Sequence, residues 1–504
     1  MRIGELPALC ARRYPRKNAT VWHGRAQTFT TFNERVNRLV GALADMGLGK
    51  GSKIGVLSRN RPEVLEVFFA AAKAGIVLVP INFRLQAQEF RFVIHDAGLQ
   101  ALVVGPDYRE VIASIQGEID VEHVLDLERD YEPLLANHAP GEPEITTAGD
   151  DLFAIFYTSG TTGGPKGVML SHDNFLSAVI NHLIGYQLGP ADVCLHVMPF
   201  YHTMEASMAI CQFYVGGSNV IVDAFDGQQF WTLVKDHGVT HITLVHTMLK
   251  DVMDAYDRGG CELGNFRFFS VGGQATPTEL IRRTLTTLGP GRILHVYGLT
   301  EASPLITYLP KEDVSLDRPE LFGSVGKEFF SCQVRVVDEK DQDVPPGTPG
   351  EIIARGPNVM QGYWKRAEET AATLRGGWLR TGDVGTLDDD GHLFIVDRLK
   401  DLIISGGENI SPREVEEALY AHPAVAECAV VGIPDERWGE QVRAVVVLKP
   451  GQQADAAALI QCCAEQLAKY KVPRSVVFAA SLPRDPVGKI QKRLIRDQYS
   501  GPPG

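Results

Sequence analysis

The sequence lacks a long apolar run, and no window approaches the ~18 consecutive apolar residues that a membrane-spanning helix needs. We therefore expect no transmembrane segment. The first residues, MRIGELPALCARRYPRK, also lack the apolar core of about 7 to 15 residues found in a signal peptide, and they contain an early Glu5. These two absences predict a cytoplasmic protein.

Positive charge is in deficit, because 49 Lys and Arg face 62 Asp and Glu, for a formal net charge of −13. Nucleic acids and anionic membrane surfaces are bound by positive fields, so neither is expected as the main partner. An anionic small molecule must instead be held by local lysines and arginines.

Cysteine patterns typical of metal or disulfide frameworks are missing as well. There is no C-x-x-C pair and no His/Cys cluster at zinc spacing. We expect reduced, partly buried thiols. The eight cysteines are Cys10, Cys194, Cys211, Cys261, Cys332, Cys428, Cys462 and Cys463.

With 504 residues, 44% hydrophobic and 22% charged, the chain has the composition of an ordinary globular protein but is too long for a single core. Short apolar runs alternate with helical patterns from residue 53 to 115 and again from residue 193 to 296, which predicts parallel βαβ units. We predict an α/β fold: a large N-terminal domain of two doubly wound α/β subdomains plus a small β-rich unit, and a separate mobile α+β C-terminal domain. The predicted boundaries are 1–396, a hinge at 397–401, and 402–504.

The most informative stretch is YTSGTTGGPKGVMLSH, residues 157–172, which follows an apolar strand pattern at 152–156. Glycines allow backbone N–H groups to converge on an anion, while short hydroxyl side chains add donors and Lys166 adds charge. Pro165 before the lysine distinguishes this stretch from the common P-loop. The sequence predicts a phosphate-binding loop made of Thr158, Ser159, Gly160, Thr161, Thr162, Gly163 and Lys166.

Residues suited to binding a ligand also follow two further predicted strands. Gly272, Gly273 and Gln274 follow a strand pattern directly, so that backbone can lie flat against a planar ligand. In Tyr297-Gly298-Leu299-Thr300-Glu301, the aromatic ring can stack on a base, the threonine can bind phosphate, and the glutamate can hold Mg²⁺. Parallel α/β sheets bind their ligands at such strand ends.

The C-terminal region begins after a charge run, Asp397-Arg398-Leu399-Lys400-Asp401. Ser411, Pro412 and Glu414 then mark a capped helix start. Near the end of the chain, Lys489 stands beside Gly488, and a basic stripe is expected if the segment is helical. The stripe comprises Lys489, Lys492, Arg493 and Arg496.

Taken in order, these motifs resemble the adenylate-forming superfamily, which includes acyl-CoA synthetases, adenylation domains and firefly-type luciferases. The resemblance covers about residues 28 to 498. It implies that ATP and a carboxylic acid form acyl-AMP and pyrophosphate with Mg²⁺, and that CoA then takes the acyl group after the C-terminal domain rotates about a hinge. The expected partners are therefore a small carboxylic acid, ATP and CoA, and a homodimer is left open.

The resemblance also implies roles by position. The loop from Thr158 to Lys166 would hold the triphosphate, and Lys489 would bridge the substrate carboxylate and the α-phosphate. For the nucleotide, the resemblance implies that Thr300 binds the α-phosphate, that Thr158 and Glu301 bind Mg²⁺, that Asp383 with Arg398 binds the ribose, and that adenine is bound by Gly272, Gly273, Gln274 and Tyr297. Lys400 would be the hinge residue. Gly406 and Gly407 would border the CoA channel, and the basic stripe would bind the CoA phosphates.

The acid is less well specified. Family members that use acetate have a large aromatic where this chain has Gly298, so the resemblance implies an open pocket. Expected wall residues are His202, Met204, His246 and Gly298, joined by Thr203, Thr247 and Met248, and His202 is either catalytic or structural. A medium- to long-chain fatty acid is the first choice, and a benzoate- or cinnamate-type acid is the second.

Three other activities stay open at this point. A luciferase-like oxygenase is one, and an enzyme that loads a carrier protein is another. An amino-acid adenylation domain should carry an aspartate in the pocket wall after Pro199 to hold the substrate ammonium, and between Pro199 and Met208 the only acidic residue is Glu205.

Overall fold

The computed structural model describes residues 1–158, 165–259, 261–398, 401–405, 408–435, 437–484 and 490–500. It divides into two compact units: Met1–Val334 with Ala354–Leu379, and Arg335–Ile353 with Arg380–Gly504. The chain therefore passes between the units more than once. The hinge expected at 397–401 remains a prediction.

The described residues contain helices of 6 to 17 residues. In chain order they are α1 Leu6–Arg13, α2 Phe29–Asp45, α3 Pro62–Ala74, α4 Ala87–Ala97, α5 Arg109–Ile115, α6 Tyr131–Ala136, α7 His172–Gly185, α8 Thr203–Val215, α9 Gly227–His237, α10 His246–Gly259, α11 Thr278–Leu288, α12 Ala367–Thr373, α13 Pro412–Tyr420, α14 Ala456–Ala464 and α15 Lys492–Tyr499. In the part of the chain that is described, none of these helices is both long enough and apolar enough to cross a membrane.

The strands are mostly short. In chain order they are β1 Asn18–Trp22, β2 Arg25–Thr28, β3 Lys53–Leu57, β4 Val77–Pro80, β5 Ala101–Val104, β6 His123–Asp126, β7 Leu152–Thr158, β8 Lys166–Ser171, β9 Val193–His196, β10 Ser218–Ile221, β11 His241–Leu244, β12 Phe268–Val271, β13 Ile293–Tyr297, β14 Thr307–Leu309, β15 Ser324–Glu328, β16 Gln333–Val337, β17 Gly350–Arg355, β18 Gly362–Tyr363, β19 Leu374–Arg375, β20 Trp378–Leu387, β21 Leu393–Arg398, β22 Ile403–Ser405, β23 Glu408–Ile410, β24 Val425–Asp435, β25 Gly439–Leu448 and β26 Ser475–Phe478.

One sheet of the first unit has the strand order β15-β14-β13-β12-β11-β9-β10-β1-β2. Its neighbours β13, β12, β11, β9, β10 and β1 are parallel. The carboxyl ends of parallel strands meet at one edge, which is where ligands bind in α/β sheets. The residues that follow β9, β11, β12 and β13 are therefore brought to the same edge.

The other sheet of this unit has the order β18-β8-β7-β4-β3-β5-β6. Strands β3 to β7 are parallel, as the alternation of strands and helices predicts. Strand β8 then turns back antiparallel to β7, and β18 pairs antiparallel with β8. Neither strand is predicted from the sequence. The residues of β8 belong to the stretch interpreted as a phosphate loop, and those of β18 lie in a turn-rich region.

Local chemistry explains why the first helices form where they do. Thr28 caps α2 by accepting a hydrogen bond from the Thr31 amide, and α3 begins with Pro62, whose missing N–H costs nothing there. Gly75 ends α3 in the left-handed conformation, with φ of 70°. Phe32, on α2, packs with its ring 5.8 Å from Phe69 of α3. These contacts lie within the main hydrophobic core of the unit.

The C-terminal part of the second unit contains the sheet β23-β22-β25-β24, with β26 parallel to β25. Ser411 caps α13 and accepts from the Glu414 amide, as predicted. The carboxylate of Glu414 pairs with Lys471 at 2.7 Å. All eight cysteines are free, and six of them are buried. The α/β fold with a separate C-terminal domain is confirmed.

Candidate functional site

The predicted phosphate loop connects two antiparallel strands. Thr158 ends β7 and lies opposite Lys166, the first residue of β8, and its hydroxyl donates to the Lys166 carbonyl oxygen at 3.5 Å. The two strands thus hold both ends of the loop in register. Ser159, Gly160, Thr161, Thr162 and Gly163 lie outside the described residues.

The two glycines that follow β12, predicted at the adenine, differ in their surroundings. A Cβ placed on Gly272 would lie 2.6 Å from the Val296 side chain and 2.8 Å from its carbonyl oxygen, so only glycine fits. Gly273 has φ of +77°, and a Cβ there would meet no atom closer than 3.8 Å. Gln274 and Tyr297, also predicted at the adenine, are both half-buried at this edge of the sheet.

Gly298 has a different role from the one its sequence position implied. A Cβ at this residue would lie 1.8 Å from the carbonyl oxygen of Pro304 and 3.0 Å from the Ile306 amide nitrogen. The glycine is needed because backbone passes beside it. Its presence therefore gives no measure of pocket width, and Gly298 as a wall of the acyl pocket stays a prediction.

Thr300 and Glu301 begin a short 3₁₀ turn, Thr300–Ala302, directly after the β13 end. The hydroxyl of Tyr363 donates to Glu301 Oε1 at 2.7 Å. The ammonium of Lys166 lies 5.2 Å from the centroid of the Tyr363 ring. Tyr363 thus links Lys166 of the phosphate loop to Glu301 of the Thr300–Ala302 turn. The sequence does not predict this role, because nothing in the tripeptide Gly362-Tyr363-Trp364 indicates a buried hydroxyl.

Burial and the neighbouring Glu301 carboxylate raise the pKa of Tyr363. The phenol therefore stays protonated and remains a hydrogen-bond donor at any pH at which the protein works. Its side chain is 7% exposed. A donor of this kind can hold one carboxylate oxygen in a fixed position.

Magnesium is the metal implied for this turn, and the donor set fits it. Glu301 supplies a carboxylate and Thr158 a hydroxyl, which are the hard oxygen ligands that Mg²⁺ prefers. Among the described residues there is no group of three or more His, Cys, Asp or Glu side chains able to hold a metal. Mg²⁺ takes one or two protein ligands and completes its shell with phosphate and water, so Glu301 with Thr158 would be enough to hold it.

The predicted ribose-binding pair lies in the second unit. Asp383 on β20 is opposite Arg398 on β21 in the antiparallel ladder, although the two are fifteen positions apart in sequence. Asp383 is 7% exposed, and its amide donates to the Thr381 hydroxyl at 3.1 Å. The strand register therefore brings together the two positions that the family resemblance pairs.

The remaining predictions in the second unit divide into two groups. Lys400, Gly406, Gly407 and Lys489 lie outside the described residues. Helix α15 begins at Lys492, whose ammonium binds Glu416 Oε1 at 2.9 Å and lies 4.0 Å from Asp397 Oδ2. Lys492 is thus held by internal carboxylates, and the basic stripe predicted for CoA loses this member.

The expected acyl-pocket residues follow the ends of β9 and β11. His202 is the N-cap residue of α8, His246 begins α10, and both are half-buried. The Met204 sulfur contacts the buried His182 ring at 3.3 Å, so part of this side chain faces the interior. A cavity of about 260 Å³ opens near the ends of β9 and β10, but none of the four predicted wall residues lines it.

Glu205 is fully buried, and its carboxylate contacts His196 Nδ1 at 2.7 Å. His196 Nε2 in turn lies 2.9 Å from the Asn219 side-chain oxygen. This carboxylate belongs to an internal network and is not offered to a ligand. The acidic residue that an amino-acid substrate would need is therefore missing from the stretch 199–208.

Comparisons with known proteins find two family models and several full-length relatives. The family model described as "AMP-binding enzyme" matches residues 8–364, and that of the "AMP-binding enzyme C-terminal domain" matches residues 414–489. A feruloyl-CoA synthase of Amycolatopsis is 37% identical over 507 residues, covering 99% of both chains. The long-chain-fatty-acid–CoA ligase FadD13 of Mycobacterium tuberculosis is 34% identical, covering 94% of this chain and 93% of its own.

Two more comparisons extend the range of relatives. A fatty acid–acyl-carrier-protein ligase, ScoC of Streptomyces coeruleorubidus, is 34% identical, covering 97% of this chain and 95% of its own. The ATP-bound crystal structure of MatB from Rhodopseudomonas palustris has a TM-score of 0.90 and 31% identity, covering 99% of each chain.

Proposed function

Because this chain belongs to the AMP-binding enzyme family, with acid–CoA ligases among its full-length relatives, we propose that it activates a carboxylic acid with an apolar body through an acyl-AMP intermediate. The observation that carries this proposal is that one side chain contacts both of the motifs predicted to bind ATP, the phosphate loop and the stretch 297–301. Tyr363 contacts both Lys166 at the base of the phosphate loop and Glu301 at the end of β13.

The chemistry follows from the residue types. A carboxylate is a poor electrophile at neutral pH, so its oxygen first attacks the α-phosphate of ATP, forming acyl-AMP and releasing pyrophosphate. Lys166 and Lys489 neutralise the charge that builds up on the phosphates and the acid. Mg²⁺, held by Glu301 and Thr158, would supply further positive charge when bound. Thr300 binds the α-phosphate, and Asp383 with Arg398 holds the ribose.

In the second step the thiol of CoA attacks the acyl carbonyl carbon and AMP leaves. Lys489 has to give way to the thiol, so we propose that the C-terminal domain turns about Lys400 between the two steps. Gly406 and Gly407, which lack side chains, would then border the channel for the CoA arm.

For the acid we propose an aromatic substrate of the hydroxycinnamate type. Support comes from the likeness to feruloyl-CoA synthase and from the rings beside His202, where the Tyr201 and His202 centroids are 4.4 Å apart and Phe83 lies 5.1 Å from Tyr201. The fatty acid preferred from sequence becomes the second candidate, and the likeness to FadD13 favours it.

The experiment is a pyrophosphate-release assay with purified protein, ATP and Mg²⁺ over acids from acetate to palmitate plus benzoate, cinnamate and ferulate. We expect the highest kcat/KM with ferulate or cinnamate. A clear preference for octanoate to palmitate would select the second candidate, and no acid-dependent release would contradict the function itself.

The acceptor is tested in the same assay. The best acid is offered with CoA and, separately, with a phosphopantetheine carrier protein. We expect thioester with CoA. Thioester with the carrier protein alone would instead favour an activity like that of ScoC, a fatty acid–acyl-carrier-protein ligase.

A further inference from the structure

The segment from Pro357 to Trp364 is hydrogen-bonded both to β8, which begins at Lys166, and to the Thr300–Ala302 turn. On one side, the Gln361 and Trp364 amides donate to the Met169 and Gly167 carbonyl oxygens of β8, at 3.0 and 2.7 Å. On the other side, the Met360 amide donates to the Glu301 carbonyl oxygen at 2.9 Å. The segment therefore fixes the distance between two motifs that are far apart in sequence.

Tyr363 is where a side chain completes this bridge. Its position on β18, opposite Val168 of β8, is set by strand pairing, and its amide is held by the Thr370 hydroxyl at 2.9 Å. The ring is buried under the Lys166 ammonium, and the hydroxyl reaches Glu301 Oε1. Among the described residues, no donor is bonded to the second oxygen of Glu301.

We infer that Tyr363 is a positioning residue for nucleotide binding, fixing one oxygen of Glu301 so that the other is left for the magnesium ion that accompanies ATP. This inference rests on the proposed function. Without the phenol, the Glu301 carboxylate can rotate about its side-chain torsions, and binding Mg·ATP must then restrict that freedom.

The test measures binding without turnover. ATP is titrated calorimetrically into protein free of acid and CoA, once with Mg²⁺ and once with EDTA, and the two Kd values give the factor by which magnesium strengthens binding. We expect Tyr363→Phe to lower this factor by about 3- to 10-fold, since a hydrogen bond to a charged group is lost, while the Kd in EDTA stays the same.

The chain offers a matched control in Tyr131, whose hydroxyl donates to the buried Glu66 carboxylate at 2.8 Å. Tyr131→Phe removes the same kind of bond elsewhere in the unit. It should lower the Tm and leave the magnesium factor unchanged. If Tyr363→Phe weakened binding equally in Mg²⁺ and in EDTA, the residue would be only a structural support and the inference would be overturned.

Glu301→Gln completes the set and keeps the inference testable if Tyr363→Phe does not fold. It should bring the magnesium factor close to 1, and adding Tyr363→Phe to it should cause no further fall. A wild-type-like factor in Glu301→Gln, or additive losses in the double variant, would overturn the inference. Acid-dependent pyrophosphate release by the wild type is measured separately. The proposed function and the role of Tyr363 can therefore be contradicted independently of each other.

Discussion

At the scale of single residues, Lys489 carries the sharpest prediction. Changing Lys489 to Ala should lower the rate of acyl-AMP formation by about 100-fold or more, because a positioned charge is lost where negative charge accumulates. Thioester formation from supplied acyl-AMP should survive, since that step needs the lysine moved away. The two rates are measured separately, by pyrophosphate release and by acyl-CoA formation.

Lys469→Ala serves as the control, since Lys469 is an exposed lysine of the same C-terminal domain. It should leave both rates unchanged. An equal loss of the two rates in Lys489→Ala would contradict a role confined to adenylation and would indicate a general defect of the domain.

At the scale of elements, the turn after β13 depends on Asn358. This buried side chain donates to the carbonyl oxygens of Ala302 and Leu305, at 2.9 and 2.6 Å. Asn358→Ala removes both bonds, while the Ala302 oxygen keeps the Leu305 amide at 3.1 Å and the Leu305 oxygen keeps the Cys332 thiol at 3.7 Å, so we expect the free energy of unfolding to fall by about 1–3 kcal/mol. The KM for ATP should rise as well, because Thr300 and Glu301 lie in the unsupported turn. Urea unfolding and ATP titration of the reaction rate measure these effects.

Asn174→Ala is a suitable comparison, because the Asn174 side chain donates to the Pro357 carbonyl oxygen at 2.8 Å and accepts from the Ser171 amide at 3.0 Å, so two bonds are lost at a more exposed residue. Its effect on the KM should be smaller. A normal KM for ATP in Asn358→Ala, despite lower stability, would show that the turn keeps its geometry without this support.

The elements also show which features a sequence can predict. The sequence pattern predicts a strand at 53–57, a helix at 62–74 and a strand at 101–104, which coincide with β3, α3 and β5, because apolar runs bounded by Pro and Gly are local signals. The pattern also predicts a helix from 455 to 469, but α14 ends at Ala464. Residues 131–150, rich in Pro, Glu and Ala, predict a surface connection, but they contain α6. Helix ends and short helices depend on tertiary packing, which a local pattern does not contain.

The same division holds for the site. Thr158, Lys166, Gly272 and Glu301 stand in motifs whose residue types already suggest phosphate or metal chemistry. Tyr363 is placed by the pairing of β18 with β8, which is far away in sequence. Asn358 acts through a carbonyl oxygen of a turn that is also far away in sequence. Glu205 is the only acidic residue that the sequence offers between Pro199 and Met208, and its buried partner His196 cannot be read from the sequence. Partners of this kind become visible only when the fold is known.

At the scale of the whole molecule, buried neutral histidines make stability depend on pH. Burial lowers the pKa of His172 to about 4 and that of His182 and His241 to about 3. The unfolded chain takes up these protons near pH 6.5 whereas the folded protein does not, so the stabilisation is complete above about pH 6.5 and is lost as the pH falls. His196 does not add to this loss, because its pKa is raised to about 10 beside Cys194 and Glu205.

We therefore expect the free energy of unfolding to fall by about 3 kcal/mol between pH 6.5 and pH 5.5, about 1 kcal/mol for each of the three histidines, because the unfolded rings are already half protonated at pH 6.5. Urea unfolding across this range measures the slope. His182→Leu should reduce it by about one third, since one titrating ring is removed from the interior, whereas His95→Gln on the surface should leave it unchanged. If the free energy of unfolding of His182→Leu depended on pH as steeply as that of the wild type, the buried His182 ring would have to accept its proton in the folded protein. The charged ring would then still have to fit against the Ala178 carbonyl oxygen and the Met204 sulfur, its two contacts.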